Sequence, residues 1–243
     1  MLATVSGAVT HLGSSSLLFP LSALYATVLW RRHSPPLALR WLAALALCLA
    51  VMGLLKLYGH GCGLPMVPVL SDLLPNDRFI SPSGHAAFAA VFYGSAGALA
   101  ARGVESGWGR TLVLSATAAL VAAISLSRIL LSAHSAAEVL VGLLVGGLAM
   151  LLFLWSCRSL PPARARLSPL LVAAVALAVA ALAGLGDPSV IESTIRMVAM
   201  HLRAEAGLCM AAGDMAGAEL ALGDFAATAT ATATATVADF QPR

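Results

Sequence analysis

Six apolar runs, parted by short polar breaks, divide the chain between residues 14 and 185. A spanning helix needs about 20 mostly apolar residues. The runs 14–30, 37–58, 83–101, 111–126, 133–155 and 168–185 come close enough to that length to be read as six spans. They predict an all-α, six-span transmembrane helical bundle over residues 1–186. Their wealth of Ala, Leu and Gly suits close contact between helices. The first run follows no basic stretch, so it is expected to be a retained span and not a cleaved leader.

From residue 187 the pattern changes. Residues 190–208 carry a weak helical periodicity, with Ile191, Ile195, Val198 and Leu202 on one side, as expected of a helix lying along a membrane surface. Residues 226–236 alternate Ala and Thr without a large apolar side chain, which favours a disordered, low-complexity end over a strand. Residues 187–243 are therefore read as a C-terminal tail, with no chemistry assigned to it.

Composition sharpens the membrane reading. The chain is 60% hydrophobic and 10% charged, against about 25% charged in a soluble domain. A net charge of +3 leaves no footprint for nucleic acid. None of the four cysteines forms a Cys-x-x-Cys pair, so redox and zinc chemistry have no support. Cys62 and Cys209 fall on the same predicted side, and either a disulfide or two free thiols fits them.

Charge then orients the spans. Eight of the fourteen Lys and Arg residues (Arg31, Arg32, Arg40, Arg102, Arg110, Arg158, Arg164 and Arg166) sit in the three connections on one side. The positive-inside rule makes that side cytoplasmic. Apart from the tail, only Lys56, Arg78 and Arg128 remain on the outer side, where a basic residue calls for a reason. The expected location is the plasma membrane (the inner membrane in a bacterium), with the site facing the periplasm or exterior.

Two polar stretches on that outer side carry the candidate chemistry. In Ser81-Pro82-Ser83-Gly84-His85, Ser81 reads as an N-cap and Pro82 as the first helical residue. The backbone N–H groups of Ser83, Gly84 and His85 would then face an anion, with His85 as a proton donor beside it. An ordinary helix cap with an interfacial His is the competing reading. In the second stretch Arg128 ends the fourth span and His134 opens the fifth. Arg can hold an oxyanion with two hydrogen bonds. A His in the first turn of a helix is favoured in its neutral, nucleophilic form. Glu138, four residues on, shares its helix face. Two readings stand for Glu138: a carboxylate that orients His134, or the closing residue of a capping box from Ser135. Lys56 reads as a phosphate ligand or a snorkelling cation. Arg78 is a second phosphate ligand or a loop partner of Asp77. His60 and Asp72 are left in the outer loop, outside the site.

Pro82-Ser83-Gly84-His85 and Ser127-Arg128-x5-His134-x3-Glu138 resemble the second and third signature motifs, PSGH and SR-x5-H-x3-D, of the type 2 phosphatidic acid phosphatase family. The resemblance covers residues 56–138 by motif. It implies His134 as a nucleophile forming a phosphohistidine, and His85 as the acid for the leaving group. Arg128, Ser83 and Gly84 would bind phosphoryl oxygens, and Glu138 would orient His134 in place of the family's Asp. The first motif, K-x6-RP, survives only in Lys56: Gly63 and Leu64 stand at the Arg and Pro positions, and Arg78 is the candidate replacement cation. Neither metal nor other cofactor is implied. The expected activity is hydrolysis of a lipid phosphate monoester or pyrophosphate at the membrane surface, with the bilayer and its lipid as partners. A lipid phosphotransferase with the same intermediate, and an inactive lipid-binding or transport relative, stay open as alternatives.

Overall fold

The computed structural model describes residues 2–62, 81–158 and 189–206. They form helices α1 (Leu2–His11), α2 (Ser15–Arg32), α3 (Pro35–Cys62), α4 (Gly84–Arg102), α5 (Gly107–Leu130), α6 (Ala136–Ser156) and α7 (Ser189–Ala206), with no strand among the described residues. Five of the six predicted spans thus appear as helices. The sixth, 168–185, and the Ala/Thr stretch lie outside the described residues.

Four helices are long and apolar enough to cross a membrane: Val5–Arg32, which joins the end of α1 to α2, then α3, α5 and α6. The protein is a membrane-associated helical bundle, but the count of six spans is not reached among the described residues. Helix α4 falls outside those four although it was expected to span. It packs against α2, α3, α5 and α6, so protein surrounds most of it, and Ala86–Phe92 are buried without a break.

The core is continuous across α2, α3, α4 and α6. Trp41 is fully buried, and its indole N–H donates to Ser95 Oγ at 2.8 Å. Tyr25 meets Trp41 edge-on, with ring centroids 5.0 Å apart. Such a buried polar link fixes the rotation of α3 against α4. The outward faces of α5 and α6 keep Leu112, Leu140, Leu144, Leu148 and Leu151 exposed, as a lipid-facing surface requires.

The two ends of the bundle differ. Exposed Trp30, Trp108 and Trp155 lie at one end together with Arg31, Arg32, Arg102, Arg110 and Arg158. Aromatic and basic residues of this kind anchor a helix at a bilayer interface. The candidate residues lie at the other end, where α3 and α5 finish and α4 and α6 begin. Cys62 closes α3 at that end and is disulfide-bonded, whereas Cys48 and Cys157 are buried free thiols. The free-thiol reading of Cys62 is thus set aside; Cys209 lies outside the described residues.

Helix α1 was not foreseen. It packs along the end of α5, and the turn after it brings Gly13 onto His85. A Cβ at Gly13 would lie 2.6 Å from Ile124 Cγ2 and 3.3 Å from His85 Cβ. Only a residue without a side chain fits there. Helix α7 is the amphipathic segment expected in the tail, but it is turned. Ala199 is buried, and Glu192 and Ile195 are half-buried, while Val198 and Leu202 of the expected apolar face stay exposed. It packs against α3.

Candidate active site

The N-terminal stretch differs locally from its sequence reading. Helix α4 starts at Gly84, and its N-cap is Ser83, with φ −70° and ψ 110°. Ser81 and Pro82 precede the helix and are not its cap and first turn. The Ser83 N–H donates to the Glu138 carbonyl oxygen at 2.9 Å, so it is not offered to an anion. The open N–H groups of the first turn begin at Gly84. Lys56 reaches this helix start: a Cβ at Gly84 would sit 3.6 Å from Lys56 Cε.

Helix α6 begins later than expected. Ser135 is its N-cap, so His134 precedes the helix and does not sit in its first turn. The turn from α5 makes this geometry: Ser132 takes φ 51°, and the N–H groups of Ala133 and His134 both donate to the Arg128 carbonyl oxygen. A left-handed Ser costs on the order of 1 kcal/mol, and here it reverses the chain so that His134 faces the bundle end.

Glu138 fills both roles that the sequence left open. The Ser135 N–H donates to its Oε2 at 3.1 Å, and its own N–H donates to Ser135 Oγ at 3.2 Å, a complete capping box. The same Oε2 accepts from His134 Nδ1 at 2.8 Å. The extra methylene of Glu over Asp is taken up by this fold-back. Glu138 Oε1 accepts the Ser81 N–H at 2.8 Å. One side chain therefore ties the lead-in of α4, the cap of α6 and the imidazole together. An ionised carboxylate only accepts, so Nδ1 carries the proton and the lone pair is left on His134 Nε2.

Close contact of α4 with α6 holds these pieces in register. A Cβ at Gly142 would be driven into the Ser83 carbonyl oxygen, and one at Gly146 into that of Ala87, both far inside contact distance. Small residues four apart allow such an approach. The Gly142→Ala variant should push Ser83 away from Glu138 and lower kcat/KM by roughly tenfold or more. The Gly147→Ala variant, with nothing within 4 Å of its added Cβ, should leave kcat/KM unchanged. Equal values for the two variants would show that this contact does not set the site.

Four buried side-chain donors among the described residues lack a hydrogen-bond partner, Ser22 Oγ, Ser125 Oγ, Ser83 Oγ and Arg128 Nε, and the last two belong to the two candidate stretches. Arg128 Nη1 donates to Thr10 Oγ1 at 2.9 Å, so α1 steers the guanidinium. Buried donors without partners are rare because each costs about 1–3 kcal/mol; an oxyanion would satisfy both. His85 lies within electrostatic reach of Arg128, His134 and Lys56. The structure thus gathers Lys56, Ser83, Gly84, His85, Arg128, His134 and Glu138 at one end of the bundle. Arg78, with Asp72 and Asp77, lies outside the described residues.

Two residues at this end had been given no role. Glu192 of α7 forms an ion pair with Lys56, and its Oε1 lies 3.1 Å from His60 Nε2. Burial pushes the Glu192 carboxyl up. The charge and hydrogen bond of Lys56, joined by those of His60, more than offset this and hold it below its ordinary range. His60 belongs to the last turn of α3 and is 8% exposed, not a solvated loop residue.

Comparison with known proteins is consistent with this geometry. A sequence model of the PAP2 superfamily matches residues 37–162, from the start of α3 to just beyond α6. No curated protein and no solved structure matches the chain. With the match covering more than half of its length, and both His-bearing stretches inside it, the chain belongs to the PAP2 superfamily.

Proposed function

We propose that the protein hydrolyses a lipid phosphate monoester or pyrophosphate at the outer membrane surface, without a metal, through a phosphohistidine on His134. Membership of the superfamily supports phosphatase activity on phosphate esters. The observation that carries the finer reading is the His134–Glu138 pair at 2.8 Å beside the unpartnered donors of Ser83 and Arg128. A nucleophile with a fixed tautomer stands next to buried groups suited to phosphoryl oxygens, and phosphoryl transfer draws mainly on such positioning and charge stabilisation.

In the first step His134 Nε2 attacks phosphorus, and the phosphorus–oxygen bond to the lipid breaks. His85 gives the leaving oxygen its proton. Glu138 stabilises the positive charge that His134 acquires. In the second step neutral His85 takes a proton from water, whose oxygen attacks phosphorus. The nitrogen–phosphorus bond breaks, and phosphate and His134 are released. Lys56, Arg128, Ser83 Oγ and the N–H at Gly84 hold the phosphoryl oxygens in both steps.

The disulfide of Cys62 at the site end, with Cys157 a free thiol at the Arg- and Trp-rich end, supports an outward-facing site, because disulfides persist in oxidising compartments. A substrate in the outer leaflet would reach such a site with its head group.

The test is phosphate release by purified protein from phosphatidic acid, phosphatidylglycerophosphate, a polyprenyl pyrophosphate and a lipid A phosphate, with and without a chelator. Release from at least one lipid, undiminished by the chelator, is the expected result. No release, or release abolished by the chelator, would sink the reading. Chromatography of labelled products separates hydrolysis, which yields free phosphate, from transfer to an acceptor lipid.

A further inference from the structure

Glu192 is a carboxylate where the reading above needs a phosphate. It pairs with Lys56, whose chain runs beside Gly84 at the start of α4. It is also within electrostatic reach of His85 and Arg128. Lys56 is 5% exposed. A phosphoryl oxygen that needs its ammonium must either displace Glu192 or share the cation with it, close to a like charge.

The carboxylate comes from outside the matched family region, on a helix held to α3 through its Glu192, Ile195 and Ala199 side. His60, on the same turn of α3 as the disulfide-bonded Cys62, donates the second hydrogen bond from Nε2 to the Glu192 carboxylate. Glu192 is thus gripped from two sides and is aimed at the cation, while the exposed Glu205 on the same helix meets only His201 at its own surface.

We propose that Glu192 competes with the phosphoryl group for Lys56, so that a ligand offering phosphate alone binds poorly. This inference rests on the site being a phosphate site. Free phosphate and small phosphate esters bring only charge, and part of that charge is spent against Glu192. A phosphate fixed to a bilayer lipid is already concentrated at the site, which raises its effective concentration without any new contact. Glu192 weakens both, and the membrane-anchored phosphate, with its higher effective concentration, is the one that still occupies the site.

The experiment measures equilibrium binding of labelled orthophosphate to the intact detergent-purified protein, together with thermal unfolding, in wild type and in the Glu192→Gln, Glu192→Ala and Glu205→Gln variants. Removing one like charge from a partly solvated site should tighten orthophosphate binding by about tenfold in both Glu192 variants. The Glu205→Gln variant should match wild type. Unchanged or weaker binding in both Glu192 variants overturns the proposal, and a fall in unfolding temperature alone would make Glu192 a helix anchor. The lipid-phosphate assay fails or succeeds separately. If no protein releases phosphate while the tenfold gain stands, the phosphatase reading falls and the Glu192 assignment remains; turnover with unchanged affinity gives the reverse.

Discussion

The His134→Ala variant is expected to release phosphate at background rate, a loss of at least about 10⁴-fold, while remaining folded in the membrane. The size of the loss follows from the geometry. His134 Nδ1 is committed to Glu138, which leaves Nε2 as the nucleophile, and alanine removes it outright. The fold should survive because the capping box does not need the imidazole. Ser135 N–H still donates to Glu138 Oε2, and Ser81 N–H to Oε1. A chemical signature accompanies the kinetic one. Brief exposure of wild type to a substrate labelled in the phosphoryl group should leave label on the protein that survives alkali and is lost in acid, as a phosphorus–nitrogen bond requires. The variant should carry none. Normal turnover by His134→Ala, or label that resists acid, would remove the phosphohistidine from the mechanism.

Much of this site was legible in the sequence because it is written locally. Helix starts announce themselves by their caps, and charge counting put Lys56, His85, Arg128 and His134 on one face before any packing was known. The errors at those starts are also local. Pro82 looked like a first helical residue, but the Ser83 N–H finds its acceptor in Glu138, some fifty residues on, and the helix waits until Gly84. Ser135 could be read as a cap and Glu138 as a partner of His134, and the two seemed to compete. They coexist because a carboxylate has two oxygens, each with room for more than one donor.

Other features were not legible because nothing near them in sequence records their partner. Helix α1 is short, and Gly13 and Ser14 break it from α2 before its apolar signal builds up. Its contribution, Thr10 on Arg128, spans more than a hundred residues. Glu192 has the same difficulty: an acidic residue on an amphipathic helix looks solvated until the helix is known to pack on α3. Gly142 and Gly146 stood at a spacing that suggests close packing, yet glycine is common in this chain, with 21 in all. Only the structure singles out these two against the carbonyl oxygens of Ser83 and Ala87.

Glu138→Gln should lower kcat/KM by about 10²–10⁴-fold, and the partners of Glu138 explain why a near-isosteric change is so costly. The carboxylate receives Ser81 N–H on one oxygen, and Ser135 N–H with His134 Nδ1–H on the other. Glutamine offers one oxygen and one NH2 group. If its oxygen serves His134, the NH2 faces the Ser81 N–H, donor against donor, and the lead-in to α4 is strained. If its oxygen serves Ser81, the NH2 faces His134 and favours the tautomer with the proton on Nε2, which blocks attack. In either orientation the negative charge that would balance a phosphorylated imidazole is gone. A buried N–H left without an acceptor costs about 1–3 kcal/mol, so the unfolding temperature should fall as well. The two effects are separable. Glu138→Asp keeps the charge with a shorter reach, and should retain much more activity than Glu138→Gln whatever its stability. A cap alone predicts the opposite order, since Gln closes a capping box as Glu does. A slight loss in Glu138→Gln, with the larger loss in Glu138→Asp, would therefore reduce Glu138 to its structural part and leave His134 to be oriented by the Ser132 turn alone.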